Sequence, residues 1–156
     1  MSIWSSIVAV LGTLAGALAA GLLQHRSART ARAEERADSH RQDRLGAVTA
    51  FAAALDAHRS AMFHRERLAL AEAGSEHQLE AQTRSHDTRA AITAPHIRLQ
   101  VLFPELAGPA QQAADATYAL RKAIDRTELD TQRHAAKEAS AAFIAAAATL
   151  LSPGNR

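Results

Sequence analysis

The run from Ile3 to Leu23, IWSSIVAVLGTLAGALAAGLL, carries no charged residue. A helix needs about twenty apolar residues to cross the hydrocarbon core of a bilayer. The run therefore predicts a transmembrane anchor over residues 1–23, with the lipid bilayer as its first partner. A secretory signal peptide is the rival reading. Such a peptide opens on positive charge, whereas only Met1 and Ser2 precede this run. Ala17-Leu18-Ala19 offers a cleavage site, but the apolar stretch is long for a signal core. The residues thus favour an anchor that is kept. Arg26, Arg29 and Arg32 follow at once, with no acid before Glu34. The positive-inside rule then places the N-terminus outside the plasma membrane and residues 24–156 in the cytoplasm. At spacing three these arginines share one helix face near anionic headgroups, and their simplest role is to set topology. Gly12, Gly16 and Ala20 recur at intervals of four, a small-residue pattern that lets two membrane helices approach and favours a homo-oligomer.

The remainder reads as all-α. Aromatic residues make up 4% of the 156, so Ala, Leu, Ile and Val must build the core. Alanine is also the best helix former, and only seven Gly and four Pro interrupt the chain. There is no cysteine, which excludes disulfides, thiolate metal sites and a cysteine nucleophile. All but Lys122 and Lys137 of the eighteen basic residues are Arg, set against sixteen acids. That near balance lacks the basic stripe of a nucleic-acid-binding domain, so direct nucleic-acid binding is not expected.

Between Gln24 and Ala73 there is no proline, and only Gly46 interrupts the helix formers. Residues 24–44 are polar almost all round and read as a charged helical stalk. Leu45, Val48, Ala52, Leu55 and Met62 then form an apolar stripe at helical spacing, opening a bundle domain over 45–152. Gly74-Ser75 ends the first helix, and Ser75 with Gln78 fits a capping box that starts the second at Glu76. Its inward seam is predicted as Leu79, Thr83, His86, Ala90, Thr93 and Ile97. Pro95 should kink or restart it. Ile97 to Val101 alternates like a strand but has no strand to pair with, so it stays helical. Pro104 and Gly108-Pro109 mark the next turn. Ala110, Ala113, Thr117, Leu120 and Ile124 are the seam of a third helix, with a break near Arg126-Thr127. Leu129, Ala136, Ala139, Phe143, Ala146 and Leu150 form the seam of the fourth, which Pro153-Gly154 stops, leaving 153–156 as a tail. The expectation is a transmembrane helix that continues into a cytoplasmic antiparallel four-helix bundle.

Eight histidines raise the question of a metal. His58 and His64 fall on different helix faces, and neither HExxH nor Glu-x-x-His occurs. His25, His40, His77 and His134 lie among charges and read as solvated. Ser85-His86-Asp87 has the letters of a hydrolase triad, but consecutive helical residues point about 100° apart and cannot form that relay. No catalytic residue, metal site or cofactor is expected. One polar cluster stands out. Folding the first two helices about Gly74 sets Asp56, His58 and Arg59 opposite His86 and Arg89, with Tyr118 and Arg121 at the same level. Its simplest role is a hydrogen-bonded layer that fixes register. The other is a partner-binding or pH-sensitive site, since histidine titrates near neutrality. On the buried-layer reading, His86→Ala costs stability.

The segment Trp4 to Gly16, with Gln24 and the Arg-rich stretch behind it, resembles the small streptomycete proteins called KilB. Asp56 to Met62, Ser85 to Pro95 and Ala116 to Arg121 are similar to that group as well. The resemblance implies a role in conjugative plasmid biology: spread of a transferred plasmid through the recipient mycelium, with lethality when unregulated. It brings plasmid-transfer or septal membrane proteins as possible partners and no catalytic residues. The Ala- and Arg-rich usage fits a GC-rich actinobacterial genome. The reading is a single-pass, membrane-anchored interaction protein. A holin-like toxin and a chromosomal membrane scaffold unrelated to plasmids are its alternatives. A stator-like stalk fits less well, because Pro95, Pro104 and Gly108-Pro109 fold the chain back on itself. A tethered DNA-binding module fits less well too, because Glu34, Glu35, Asp38 and Asp43 weaken the field of the stalk.

Overall fold

The computed structural model describes the backbone of residues 3–152 and the side chains of residue 32 and of 34–152. Its elements are α1 (Ile3–Leu70), α2 (Ser75–Leu102), a 3-10 turn (Pro104–Leu106), α3 (Ala107–Tyr118) and α4 (Arg126–Leu151). No strand occurs among the described residues, as the composition requires. The chain divides into two units, Met1–Arg41 and Gln42–Arg156.

In the first unit the backbone is helical from Ile3. The expected anchor, with Gly12, Gly16, Ala20, Arg26 and Arg29, lies outside the residues whose side chains are described; Arg32 is exposed. Among the described residues, no helix is long and apolar enough to cross a membrane. The tail expected at 153–156 also lies outside the described residues.

In the second unit, the pairing of α1 with its neighbours gives the topology. Asp43 accepts from Arg98, His58 meets Thr88, and Arg65 donates to Ser85, so α2 runs antiparallel to α1. Tyr118 packs on His58 while the amide of Lys122 reaches Glu66, so α3 and the segment after it run parallel to α1. Phe143 meets Phe51, Ser140 meets Arg59 and Arg133 covers Phe63, so α4 runs antiparallel again. These are four helices in up-down-up-down order.

The core falls into two clusters. The larger gathers Val48, Phe51, Leu55, Ile92, Leu99, Phe103, Leu106 and Phe143 among small residues such as Ala47, Ala110 and Ala113. The smaller holds Met62, Leu120 and Ala136. Alanine seams let the backbones close, but each alanine buries little area, so the few large side chains carry most of the apolar burial. Phe51 is central: its ring stacks on His96 at 5.0 Å and meets Phe143 edge-on at 5.3 Å.

Several local expectations need correction. The inward face of α2 is Ala81, Ser85, Ile92 and Leu99. Leu79, Thr83, His86, Ala90, Thr93 and Ile97 are exposed. The offset is two residues, or about 200° round the helix, so the expected seam is the outer face. Both faces carry heptad-like spacing, and the inner one wins because small Ala81 and Ser85 admit α1 closely beside the polar groups of Arg65 and His58. Pro95 neither ends nor restarts α2. Its missing amide costs about 3 kcal/mol in a helix interior, which Ile92 and Leu99 on either side offset by burial. Gly74, not Ser75, is the N-cap residue of α2, without a side-chain cap; Gln78 Nε2 instead donates to the Ala73 carbonyl at 2.8 Å.

Helix α3 also ends earlier than its seam suggests. Ala110, Ala113, Thr117 and Leu120 are buried as expected, but Ile124 is 85% exposed. The chain leaves the helix after Tyr118 so that Leu120 can enter the smaller cluster, and Lys122 then takes a left-handed φ of 53°. Glu66 holds that turn: its Oε2 accepts the Lys122 amide at 3.0 Å while Oε1 accepts from Arg65. Glu66→Ala leaves an amide and a guanidinium without their acceptor. The expected cost is on the order of 1–2 kcal/mol, read as a lower urea midpoint at unchanged slope. α4 then begins on a reciprocal cap in which Asp125 Oδ1 accepts from the Glu128 amide and Glu128 Oε2 from the Ile124 amide.

Candidate functional site

Between the two apolar clusters, the α1 stripe is interrupted by His58 and Arg59. The helical spacing Leu55, His58, Met62 puts an imidazole where an apolar side chain belongs, and His58 is 1% exposed. Its Nδ1 lies 3.0 Å from Thr88 Oγ1. The Thr88 hydroxyl donates its one proton to backbone carbonyls, Arg84 at 2.9 Å and Ser85 at 3.1 Å. With that proton on a carbonyl, Oγ1 accepts from His58, an arrangement that fits a neutral ring protonated on Nδ1. His58 Nε2 is then a buried acceptor with no partner.

Tyr118 from α3 meets the imidazole edge-on at 5.7 Å, and the Arg89 guanidinium lies 4.1 Å over the Tyr118 ring. Burial is the main force holding the His58 pKa down to about 4, followed by the positive charges of Arg89, Arg121 and Arg65. The ring is thus neutral at physiological pH. Arg65 completes the assembly by donating to Ser85 Oγ at 3.3 Å and to Glu66.

The residues expected to cluster divide accordingly. His58, Arg89, Tyr118 and Arg121 come together. Asp56 and Arg59 pair with each other, and Arg59 turns to α4, where it donates to Ser140 Oγ at 3.2 Å. His86 is exposed and belongs to neither group, because the rotation of α2 carries it outward. The stability cost expected for His86→Ala therefore has no buried contact to draw on. Sequence reasoning missed Thr88, Ser85, Arg65 and Glu66. A signal existed for Glu66, which lies four residues after Met62 on the same stripe.

The chemistry available to this layer is limited. A general base activates a hydroxyl by accepting its proton. In the Nδ1-protonated tautomer the ring proton points at Thr88 Oγ1 and the hydroxyl proton lies on a carbonyl, the reverse of a base–hydroxyl pair. Among the described residues, no group of three or more His, Asp or Glu is placed to hold a metal ion. The arrangement links α1, α2 and α3 through hydrogen bonds and ring contacts, while Arg89 and Arg121 remain exposed at its edge.

The family model described as KilB plasmid transfer protein matches residues 45–151. The chain belongs to the KilB family. Protein KilB of Streptomyces lividans is 51% identical over 144 residues, covering 92% of this chain and 95% of that protein. The KilB match begins within the second unit and includes every residue of the His58 layer. No solved structure matches the chain.

Proposed function

We propose that this protein acts in the intramycelial spread of a transferred plasmid as a single-pass membrane protein whose helical bundle binds other proteins rather than transforming a substrate. The observation that carries the reading is the family match, which covers the bundle and extends as 51% identity over 92% of the chain. Two further features support it. The uncharged run from Ile3 to Leu23, followed by Arg26, Arg29 and Arg32, has the length and flank of an anchor with the bundle on the cytoplasmic side. The buried layer has a hydrogen-bond polarity unsuited to base catalysis, leaving the exposed helix faces as working surfaces. Septal or plasmid-translocation proteins are the partners such a module would engage at the plasma membrane, and the family's link to transfer favours this over a toxin or an unrelated scaffold.

Deleting residues 3–23 is expected to move the protein from the carbonate-washed membrane fraction to the soluble one. It should also abolish complementation of plasmid spread in a mating between mycelia. Full-length protein in the soluble fraction would sink the anchor. A truncated protein that still supports spread would sink the membrane-bound role. Loss of both properties, with partners recovered from native membranes only by full-length protein, is the supporting result.

A further inference from the structure

The rotation of α2 leaves an apolar side chain without a partner, and its surroundings have a definite sign. Leu79 is 65% exposed, with Glu76, Glu80 and Asp87 beside it and Arg84 as the one cation. At the same end of the bundle, a groove of about 450 Å³ opens between the end of α1 and the start of α4. Phe63, Leu70, Ile124 and Leu129 supply its apolar surface, and Arg67 and Arg126 line it. Arg133 adds charge, its guanidinium lying 4.2 Å over the Phe63 ring. The groove's single carboxylate, Asp125, is committed to capping α4. One surface is therefore a leucine ringed by acids, and the other an apolar groove rimmed by arginines.

We propose that these two surfaces are the halves of one interface, and that the occupant of the groove is the α2 face of a second copy of this chain. Leu79 enters the groove beside Ile124, while Glu76 and Glu80 meet Arg67 and Arg126. Opposite charges around an apolar contact favour the correct partner and disfavour like pairings. The donor and acceptor surfaces differ, so the contact is head-to-tail, and each copy offers one of each. Such a contact builds a ring or a chain of copies, whatever other proteins the bundle engages. It does not depend on the plasmid role.

The absence of cysteine makes the test direct. Full-length Leu79→Cys and Ile124→Cys variants, each purified in detergent micelles, are mixed and oxidised. The 79–124 cross-linked dimer is expected to exceed by at least ten-fold the product of Ile124→Cys with Gln111→Cys, an exposed α3 position serving as control. Adding Arg67→Glu and Arg126→Glu to the Ile124→Cys chain should cut the yield ten-fold. Adding Glu76→Arg and Glu80→Arg to the Leu79→Cys chain should then restore it to within two-fold. That rescue separates a lost contact from a lost fold. A yield at the control level, no effect of charge reversal, no rescue, or a dominant 79–79 product would each overturn the proposal.

Discussion

Phe51→Ala is expected to lower the unfolding free energy of the bundle by about 3–5 kcal/mol, the usual range for truncating a buried phenylalanine. The reason is specific to a chain with so few aromatics. Phe51 touches an aromatic ring on each of α2 and α4, stacking on His96 and meeting Phe143 edge-on. The core cluster it belongs to includes the alanines Ala47, Ala110, Ala113, Ala114 and Ala147. Alanine has no side-chain freedom with which to fill a vacated volume, so the cavity persists and adds its own cost to the lost transfer energy. On a unit of this size the melting temperature should fall on the order of 10–25 °C. Thermal unfolding followed by helical circular dichroism is the measurement. A drop of only a few degrees would mean that the helices close over the gap. Phe51→Leu, which keeps most of the volume, should recover more than half of the loss.

Mild acid is expected to destabilise the bundle through His58. His58 is held at a pKa of about 4 in the fold, against the ordinary histidine value of 6.5. Above pH 6.5 the ring is neutral in both folded and unfolded chains and contributes no pH dependence. Below that value the unfolded chain takes up a proton that the folded chain refuses. Stability therefore falls with falling pH until the folded ring protonates near pH 4. At about 1.4 kcal/mol per unit, the drop from pH 7.5 to pH 5 should be about 2 kcal/mol. His58→Leu should flatten that slope. It should lie within about 1 kcal/mol of the parent at pH 7.5, because it also removes an orphaned buried acceptor. His86→Ala, on the outer face of α2, should leave both slope and stability unchanged. Urea titrations at pH 7.5, 6 and 5 give all three, and parallel slopes for the parent and His58→Leu would refute the assignment.

The two histidines show where reading along the chain succeeds and where it fails. His58 sits on a stripe whose members Val48, Leu55 and Met62 are buried, although Leu45, expected on the same stripe, is exposed. His86 sits on a stripe marked by Leu79 and Ile97, which are the large apolar side chains a sequence reader counts. The inner face of α2 also holds Ile92 and Leu99, but Ala81 and Ser85 complete it. Hydrophobicity scores the leucine above the alanine, whereas close helix packing beside a polar layer needs the smaller side chain. Helix α3 poses the same difficulty. Its seam continues in sequence through Leu120 to Ile124, yet the helix stops at Tyr118 because Glu66, distant along the chain, supplies the acceptor that holds the reversed turn at Lys122.

Local physics was enough for the class of fold, the number of bundle helices, most of the breaks between them and the polar interruption of α1 at His58. Each follows from helix propensity, from spacing along one helix, or from glycine and proline at a turn, and all of these act within a few residues. The inward face of α2, the end of α3, the split of the polar cluster into a His58 layer and an Asp56–Arg59 pair, and the proton on His58 Nδ1 needed the assembled helices. Each is settled by a residue from another element: Thr88 for the tautomer, Ser140 for Arg59, Glu66 for the turn, and Ala81 and Ser85 for the approach of α1. When a helix carries two plausible seams, its own periodicity cannot choose between them, and the choice falls to the shape and hydrogen bonding of its neighbours.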